Sequence, residues 1–324
     1  MSNFSSLSRR LPTREGKERT QIGLVKSQII LFNSRRKWGL LYSLATVAGL
    51  LCVPGVLQSM AADPDIFRVI QRTAPLPAIS LLIATGMYIL NDLVDADLDK
   101  ANGKKRPIPS GQVSKKQARI FIVSTNGLAI ILLAVTFNGV SMLLVLPMLA
   151  IGIMYSAPRI ALMNRFVIKT LAISAFYVIC ALLGITSGYG VSLAMQNPIV
   201  PVYSMTLLGV MIFISSTLND LGDIDGDRAA KRRTIPVVIG AKATIEFLIV
   251  MASGMIAISL IAYDSIGPIS IVLTTMFALV VILRLKKIGE GVARMDAEAI
   301  RRQHKKIFPM HMLLQLLIVV SAIV

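Results

Sequence analysis

Long apolar runs, separated by short charged segments, dominate the chain. A helix needs about 20 mostly apolar residues to cross a bilayer, and nine runs come near that length. They cover residues 39–60, 75–93, 118–138, 140–157, 167–187, 201–219, 244–263, 266–284 and 308–324. Runs of this length are typical of spanning helices, whereas barrel strands need only about 10 residues. The pattern predicts an all-α, polytopic membrane protein with nine transmembrane helices.

The first 34 residues differ in composition from the rest of the chain. They are polar and rich in Ser, Arg and Lys, which predicts a basic, flexible cytoplasmic tail. The run 39–60 follows this basic segment and lacks a convincing cleavage site, so it is expected to be a first span and not a signal peptide. Residues 35–324 are therefore predicted to form a single membrane domain.

Composition and charge place the chain in a bilayer with a defined orientation. The sequence is 55% hydrophobic with a mean hydropathy of +0.71, too apolar for an ordinary soluble domain. With a cytoplasmic amino terminus, 32 of the 34 Lys and Arg residues lie inside, and only Arg68 and Arg72 lie outside. The net charge of +17 therefore reflects the orientation of the chain in the membrane and an attraction to anionic headgroups. We expect no nucleic acid as partner. We expect a plasma-membrane protein with its carboxyl terminus outside.

A duplicated acidic motif is the main candidate for chemistry. Residues 90–99 read LNDLVDADLD, and 128 positions later, counted from Asn91 to Asn219, residues 218–227 read LNDLGDIDGD. Eight of the 17 acidic residues lie in these two stretches. A basic cluster and a proline follow each copy. Ionisable groups at membrane depth are costly and point to function, and the repeat predicts two related helical halves in one domain.

The spacing within each motif predicts a metal site. On a helix, residues three and four apart share a face, so each copy would present a strip of oxygen atoms, with Asp97 and Asp225 pointing away. Clustered carboxylates need a counter-charge, and Mg²⁺ combines one or two carboxylates with substrate phosphates. The predicted ligands are Asn91, Asp92, Asp95, Asp99, Asn219, Asp220, Asp223 and Asp227.

Cations in the loops after the two motifs are candidates for binding phosphate. Arg can grip a phosphate through two hydrogen bonds, and Lys acts as a point charge, although an inside loop would carry such residues in any case. The candidates are Lys104, Arg106, Arg232 and Arg233. Tyr155 and Arg159 open a third inside loop. Residues 35–38, RRKW, are either an interfacial anchor or bring one cation to the site.

These motifs resemble those of the UbiA superfamily of intramembrane prenyltransferases. Residues 91–99 fit the family pattern N-D-x-x-D-x-x-x-D, and residues 106–111 resemble its R-P-I-P-S-G stretch. Asp223 and Asp227 fit its D-x-x-x-D, continued by Arg228 and by residues 233–236. A Tyr-Ser pair with a cation four residues after the Tyr, here Tyr155 and Arg159, is similar as well. The resemblance covers residues 35–324.

The resemblance implies a UbiA-type helical bundle and a specific reaction. Mg²⁺ held by the two Asp clusters would bind an isoprenyl diphosphate, and metal and cations would stabilise the departing diphosphate. An acceptor would then capture the allylic cation in an apolar chamber. The implied catalytic residues are Asp92, Asp95, Asp99, Asp223 and Asp227. The implied diphosphate-binding residues include Tyr155, Arg159 and Arg228 beside the loop cations above.

The acceptor and the protein class leave alternatives. Geranylgeranylglyceryl phosphate is the preferred acceptor, ahead of an aromatic quinone precursor such as 4-hydroxybenzoate or a chlorophyllide- or haem-like molecule. Residues 96–98 lack the aromatic often seen in the related branches, and the long basic amino terminus is unusual. A cation transporter would place carboxylates near the bilayer midplane, whereas these follow the spans. A CDP-alcohol phosphotransferase would carry D-G-x-x-A-R, which neither motif contains.

Overall fold

The computed structural model describes residues 23–101, 105–136, 138–294, 300, 302 and 305–323, and all regular structure within these ranges is helical. The all-α prediction is therefore confirmed. The helices are α1 (Leu24–Leu51), α2 (Val56–Ala61), α3 (Ile66–Thr73), α4 (Pro75–Val94), α5 (Ala96–Ala101), α6 (Lys115–Thr136), α7 (Gly139–Ser156), α8 (Phe166–Ile185), α9 (Gly190–Gln196), α10 (Ile199–Gly222), α11 (Ile224–Ala229), α12 (Ile235–Ile239), α13 (Ala241–Ile261), α14 (Tyr263–Ala293) and α15 (Phe308–Ile323).

Seven stretches of the described chain are long and apolar enough to cross a membrane. They are α3 and α4 taken together, α6, α7, α8, α10, α13 and α14. The other two predicted spans fall on α1, which carries three consecutive cations at residues 35–37, and on α15, which has 16 residues. The protein is a multi-pass membrane protein, and the count of nine crossings stays a prediction.

The first helix lies well to the amino-terminal side of the predicted span 39–60. α1 begins at Leu24 and ends at Leu51, and Gly55, with φ of 81°, starts the separate helix α2. Residues 24–34 therefore belong to α1 and not to the predicted tail, while residues 1–22 lie outside the described part of the chain. The extension has a packing cause, since Leu31 is fully buried in a small core with Ile89 and Ile108, beside the first acidic motif.

α1 and α8 pack closely at the centre of the bundle. α1 contacts α4, α8 and α15, while α8 also contacts α7 and α10. A Cβ atom at Gly184 would overlap the backbone oxygen of Thr46, and one at Gly49 would overlap that of Ala181. Small residues at such crossings let helix backbones approach within a membrane. This contact fixes the position of α8, which carries a cation of the site described below.

Each acidic motif interrupts a helix at its middle aspartate. α4 ends at Val94, and Asp95, with φ −82° and ψ 3°, precedes α5. α10 ends at Gly222, and Asp223, with φ −118° and ψ 17°, precedes α11. The predicted continuous strip along one helix is therefore wrong for both copies. The break redirects the carboxylates, so that members of one motif meet different partners.

Candidate active site

A cavity of about 200 Å³ lies between the ends of α4 and α10 and the amino-terminal part of α8. Both acidic motifs contribute to its wall, as the repeat predicts for one shared site. The predicted residues that line it are Asn91, Asp95, Arg106, Tyr155, Asn219, Asp220, Asp223, Asp227 and Arg232. Apolar side chains, including those of Ile173 and Ile212, complete the wall. The cavity therefore joins a polar, charged part to an apolar part.

The first motif divides into one carboxylate that faces the cavity and two that lie beside it. Asp92 and Asp99 are both about 1% exposed. Arg106 Nη1 donates to Asp92 at 2.8 Å and to Asp99 at 2.6 Å. Arg35 Nε donates to the other oxygen of Asp92 at 2.7 Å. These two carboxylates therefore hold Arg35 and Arg106 at the cavity wall, while Asp95 lines the cavity itself.

The second motif presents two buried carboxylate oxygens beside the cavity. Lys169 Nζ forms an ion pair with one oxygen of Asp220, and both side chains are almost fully buried. The second oxygen of Asp220 and Oδ2 of Asp227 are buried and accept no hydrogen bond from any described residue. Burial raises the pKa of Asp227, although the nearby charges of Lys169 and Arg232 oppose this shift. Buried oxygens without a hydrogen bond from the described residues are available to bind a cation.

Arg232 connects the two motifs across the cavity. Its Nη2 donates to Asp95 at 2.7 Å, and its Nη1 lies 4.0 Å from Asp227. The local backbone aims it there, because Lys231 has a φ of 55°, a left-handed conformation that ends α11. The Arg232 N–H then donates to the backbone oxygen of Asp227 at 2.8 Å. The turn folds the guanidinium back over the motif that precedes it.

Several predicted phosphate-binding residues lie away from this cavity. Arg159, Arg228 and Arg233 are exposed and do not line it. Arg228 lies 3.6 Å from Asp225 on the outer face of α11. Arg233 follows Arg232 directly, and its backbone N–H donates to the backbone oxygen of Asn164 at 3.2 Å. Lys104 lies outside the described residues.

Asp97 and Asp225 face outward, as predicted. The side chain of Asp97 is 87% exposed and pairs with Lys115 at 3.1 Å, and that of Asp225 is 93% exposed. Each motif therefore has one aspartate, Asp97 or Asp225, that takes no part in the cavity. The other aspartates of the two motifs line the cavity or hold the cations of its wall.

Sequence reasoning missed one buried cation and left another undecided. Lys169 is not among the predicted site residues, yet it is the fourth residue of α8 and lines the cavity. The signal was available, because a Lys within an apolar run is a functional candidate by default. For residues 35–38, the structure decides in favour of a cation at the site, since Arg35 lies on the cavity wall beside Trp38. The guanidinium of Arg35 also stacks 5.8 Å from the ring centre of Tyr88.

The donor atoms of the cavity fit a hard divalent cation. Among the described residues, no three carboxylate, imidazole or thiol side chains converge on one point. Mg²⁺ commonly takes one or two carboxylates and completes its shell with water and substrate phosphates. The unpartnered oxygens of Asp220 and Asp227, beside the exposed carboxylate of Asp223, match that requirement. The cations opposite them suit an anion bound in the same space.

Comparison with known proteins identifies the family. The model of the UbiA prenyltransferase family matches residues 51–304. The chain belongs to this family. It is 29% identical over 224 residues to the digeranylgeranylglyceryl phosphate synthase of Methanoculleus marisnigri, a match that covers 68% of this chain and 73% of that protein. Membership of the UbiA family makes the chain a membrane prenyltransferase. It excludes the two alternatives, a cation transporter and a CDP-alcohol phosphotransferase.

Solved structures share the fold at low sequence identity. A UbiA homologue from Archaeoglobus fulgidus superposes with a TM-score of 0.66 at 15% identity, over 93% of this chain and 98% of that one. The structure of a UbiA homologue from the same organism bound to GPP and Mg²⁺ gives a TM-score of 0.59 at 14% identity, over 89% and 99% of the two chains. The predicted UbiA-type bundle is therefore confirmed.

Proposed function

We propose that this UbiA-family enzyme transfers a geranylgeranyl group from geranylgeranyl diphosphate to geranylgeranylglyceryl phosphate, with Mg²⁺ as the metal. The observation that carries the proposal is the cavity in which both acidic motifs face Lys169, Arg106 and Arg232. Such a site suits a metal-bound diphosphate, and its apolar wall suits the first carbons of a prenyl chain. The acceptor is supported by the relative from Methanoculleus marisnigri, which is named for making the digeranylgeranyl product.

The residues at the cavity divide into three roles in this proposal. Oxygen atoms that would hold the metal come from Asn91, Asp95, Asn219, Asp220, Asp223 and Asp227. Bound Mg²⁺ would neutralise negative charge on the diphosphate. Arg35, Arg106, Lys169 and Arg232 donate hydrogen bonds to the phosphate oxygens and stabilise the leaving group. Asp92 and Asp99 position Arg35 and Arg106, so their role is to fix the cations.

The transfer breaks one carbon–oxygen bond and forms another. The bond between C1 of the prenyl chain and the diphosphate breaks, and its electron pair leaves with the diphosphate. The free hydroxyl of the acceptor attacks C1 and forms the ether bond, and its proton passes to water at the polar mouth of the cavity. Ile173, Ile212 and Trp38 keep water from the allylic carbon. This arrangement favours the acceptor over hydrolysis.

The protein is proposed to lie in the plasma membrane with its amino terminus and the loops of the cavity in the cytoplasm. The distribution of Lys and Arg supports this orientation. Water-soluble diphosphate would then leave on the cytoplasmic side. The lipid product would stay in the bilayer.

The direct test is an acceptor panel with purified protein. Labelled geranylgeranyl diphosphate is incubated with geranylgeranylglyceryl phosphate or with 4-hydroxybenzoate, each in the presence of MgCl₂ or EDTA, and products are identified by mass. The proposal expects one product, the digeranylgeranyl ether, formed only with Mg²⁺. Prenylated hydroxybenzoate as the main product would assign the enzyme to the quinone pathway instead. Equal turnover in EDTA would remove the metal from the proposal.

A further inference from the structure

A second and larger cavity lies beside the candidate active site. It measures about 550 Å³ and is bounded by α1 and α15, with a contribution from α10. Its wall is mostly apolar and includes Leu40, Leu44 and Met312. Ligand-binding cavities in proteins typically measure about 300–1,000 Å³. The size and wall are suited to a hydrocarbon chain.

The two cavities share a wall formed by Trp38 and Ser215. The Trp38 ring packs on Phe308 of α15 at 5.5 Å and lies 5.9 Å from Tyr88 at the active site. A molecule in the second cavity would therefore lie directly beside a prenyl chain bound in the first. Tyr42 and Tyr177 pack nearby in the core of the bundle and are completely buried.

Two lysines line the second cavity. Lys37 precedes Trp38 on α1, and Lys305 lies just before α15. Both side chains are exposed, and no described residue forms an ion pair with either of them. Two such cations beside an apolar cavity complement an amphiphile that carries an anionic head and a hydrocarbon tail.

We propose that this cavity is the acceptor subsite and that Lys37 and Lys305 bind the phosphate of a monophosphate lipid acceptor. The inference rests on the proposed function, and it assigns the residues that select the acceptor class. The lipid tail lies along Leu40, Leu44 and Met312, and the free hydroxyl reaches the active site past Trp38. A neutral acceptor would make no use of the two charges, and a small aromatic carboxylate would leave most of the apolar wall uncovered, whereas a lipid phosphate uses both.

The first test measures steady-state kinetics on the complete enzyme. The variant Lys37→Gln/Lys305→Gln should raise KM for geranylgeranylglyceryl phosphate about tenfold or more, which corresponds to losing about 1.4 kcal/mol of binding. KM for geranylgeranyl diphosphate should change less than about twofold. Lys37→Arg/Lys305→Arg, which keeps both charges, should restore the acceptor KM. Equal increases in both KM values would overturn the assignment.

Matched controls lie next to each lysine. Arg36 and Lys306 are exposed cations that do not line the cavity. Arg36→Gln/Lys306→Gln removes the same charge from the same surface and should leave the acceptor KM unchanged. An increase as large as that of the lysine pair would show a general surface-charge effect and would overturn the subsite.

A second readout separates this inference from the proposed function. A photoactivatable C20 alkyl monophosphate and its uncharged alcohol are reconstituted with the enzyme, and labelled peptides are mapped. The phosphate probe should label α1 near Leu44 and α15 near Met312, and Lys37→Gln/Lys305→Gln should abolish the preference for phosphate over alcohol. Equal labelling by both probes overturns the subsite. Absence of ether product from wild-type enzyme overturns the proposed function, whatever the labelling shows.

Discussion

Arg232 donates a hydrogen bond from Nη2 to Asp95 Oδ1 at 2.7 Å, although the two residues lie 137 positions apart in the sequence. Asp95 is the middle carboxylate of the first motif, and Arg232 follows the second. The same guanidinium lies 4.0 Å from Asp227. One side chain therefore joins the two copies of the repeat at the cavity, and its loss should affect both.

Replacing Arg232 should reduce prenyl transfer without unfolding the protein. Its side chain is 18% exposed and that of Asp95 is 11% exposed, so water can replace part of the lost contact. We expect Arg232→Gln to lower kcat/KM for the diphosphate substrate about 100-fold, as for other groups that stabilise charge in a transition state. Arg228→Gln, on the outer face of α11, should stay within about twofold. Comparable losses of kcat/KM in Arg232→Gln and Arg228→Gln would contradict the placement of Arg232, and not Arg228, at the active site.

The sequence was sufficient to predict that two acidic motifs share one site, because their repetition in a mostly apolar chain is informative in itself. It did not predict how each motif is used. A helical period assumes an unbroken helix, whereas Asp95 and Asp223 interrupt theirs. The choice of Arg106 over Arg159 at the site depends on long-range packing, which spacing along the chain cannot show.

Lys169 and Asp220 form a buried pair whose removal should separate stability from activity. Removing only one member of a buried ion pair leaves the other charge uncompensated, which lowers the free energy of unfolding by about 3–5 kcal/mol. Lys169→Met should therefore lower the unfolding temperature in detergent and abolish transfer. Lys169→Met/Asp220→Leu should recover most of the stability, since apolar replacements of a buried pair are often neutral, while transfer stays absent. Transfer at wild-type rate in either variant would remove Lys169 from the diphosphate site.

Asp223 offers a test of the metal role that leaves the fold intact. It lines the cavity, is exposed, and has no Lys or Arg partner among the described residues. Asp223→Asn should lower transfer about 100-fold and raise the Mg²⁺ concentration needed for half-maximal rate, with an unchanged unfolding temperature. The control is Asp225→Asn, two positions away and facing outward, which should behave as wild type. An unchanged Mg²⁺ requirement in Asp223→Asn would argue against a metal ligand at this position.

Gly184 should tolerate no side chain, because α1 and α8 are in backbone contact there. An added Cβ would overlap the backbone oxygen of Thr46 and approach the nitrogen of Leu50. Gly184→Ala should lower the free energy of unfolding by at least about 3 kcal/mol, at the upper end of overpacking effects. Gly254→Ala on α13, where nothing lies within 4 Å of an added Cβ, should change it by no more than about 1 kcal/mol. Similar effects at both glycines would contradict the central α1–α8 contact.

The proposed orientation predicts opposite labelling of two exposed positions. Met195 in α9 lies in the segment 188–200, which carries no charge, and its side chain is 78% exposed. Gln112 is exposed in the loop that follows the first motif, on the side of the cavity. Because Lys and Arg are retained in the cytoplasm during insertion, the loop with Gln112 should lie inside.

An impermeant maleimide applied to intact cells should therefore label Met195→Cys at once and Gln112→Cys only after permeabilisation. The native Cys52 and Cys180 are buried and should stay unlabelled. The reverse pattern would place the cavity on the outer side of the membrane, against the positive-inside rule. It would also contradict the cytoplasmic release of diphosphate.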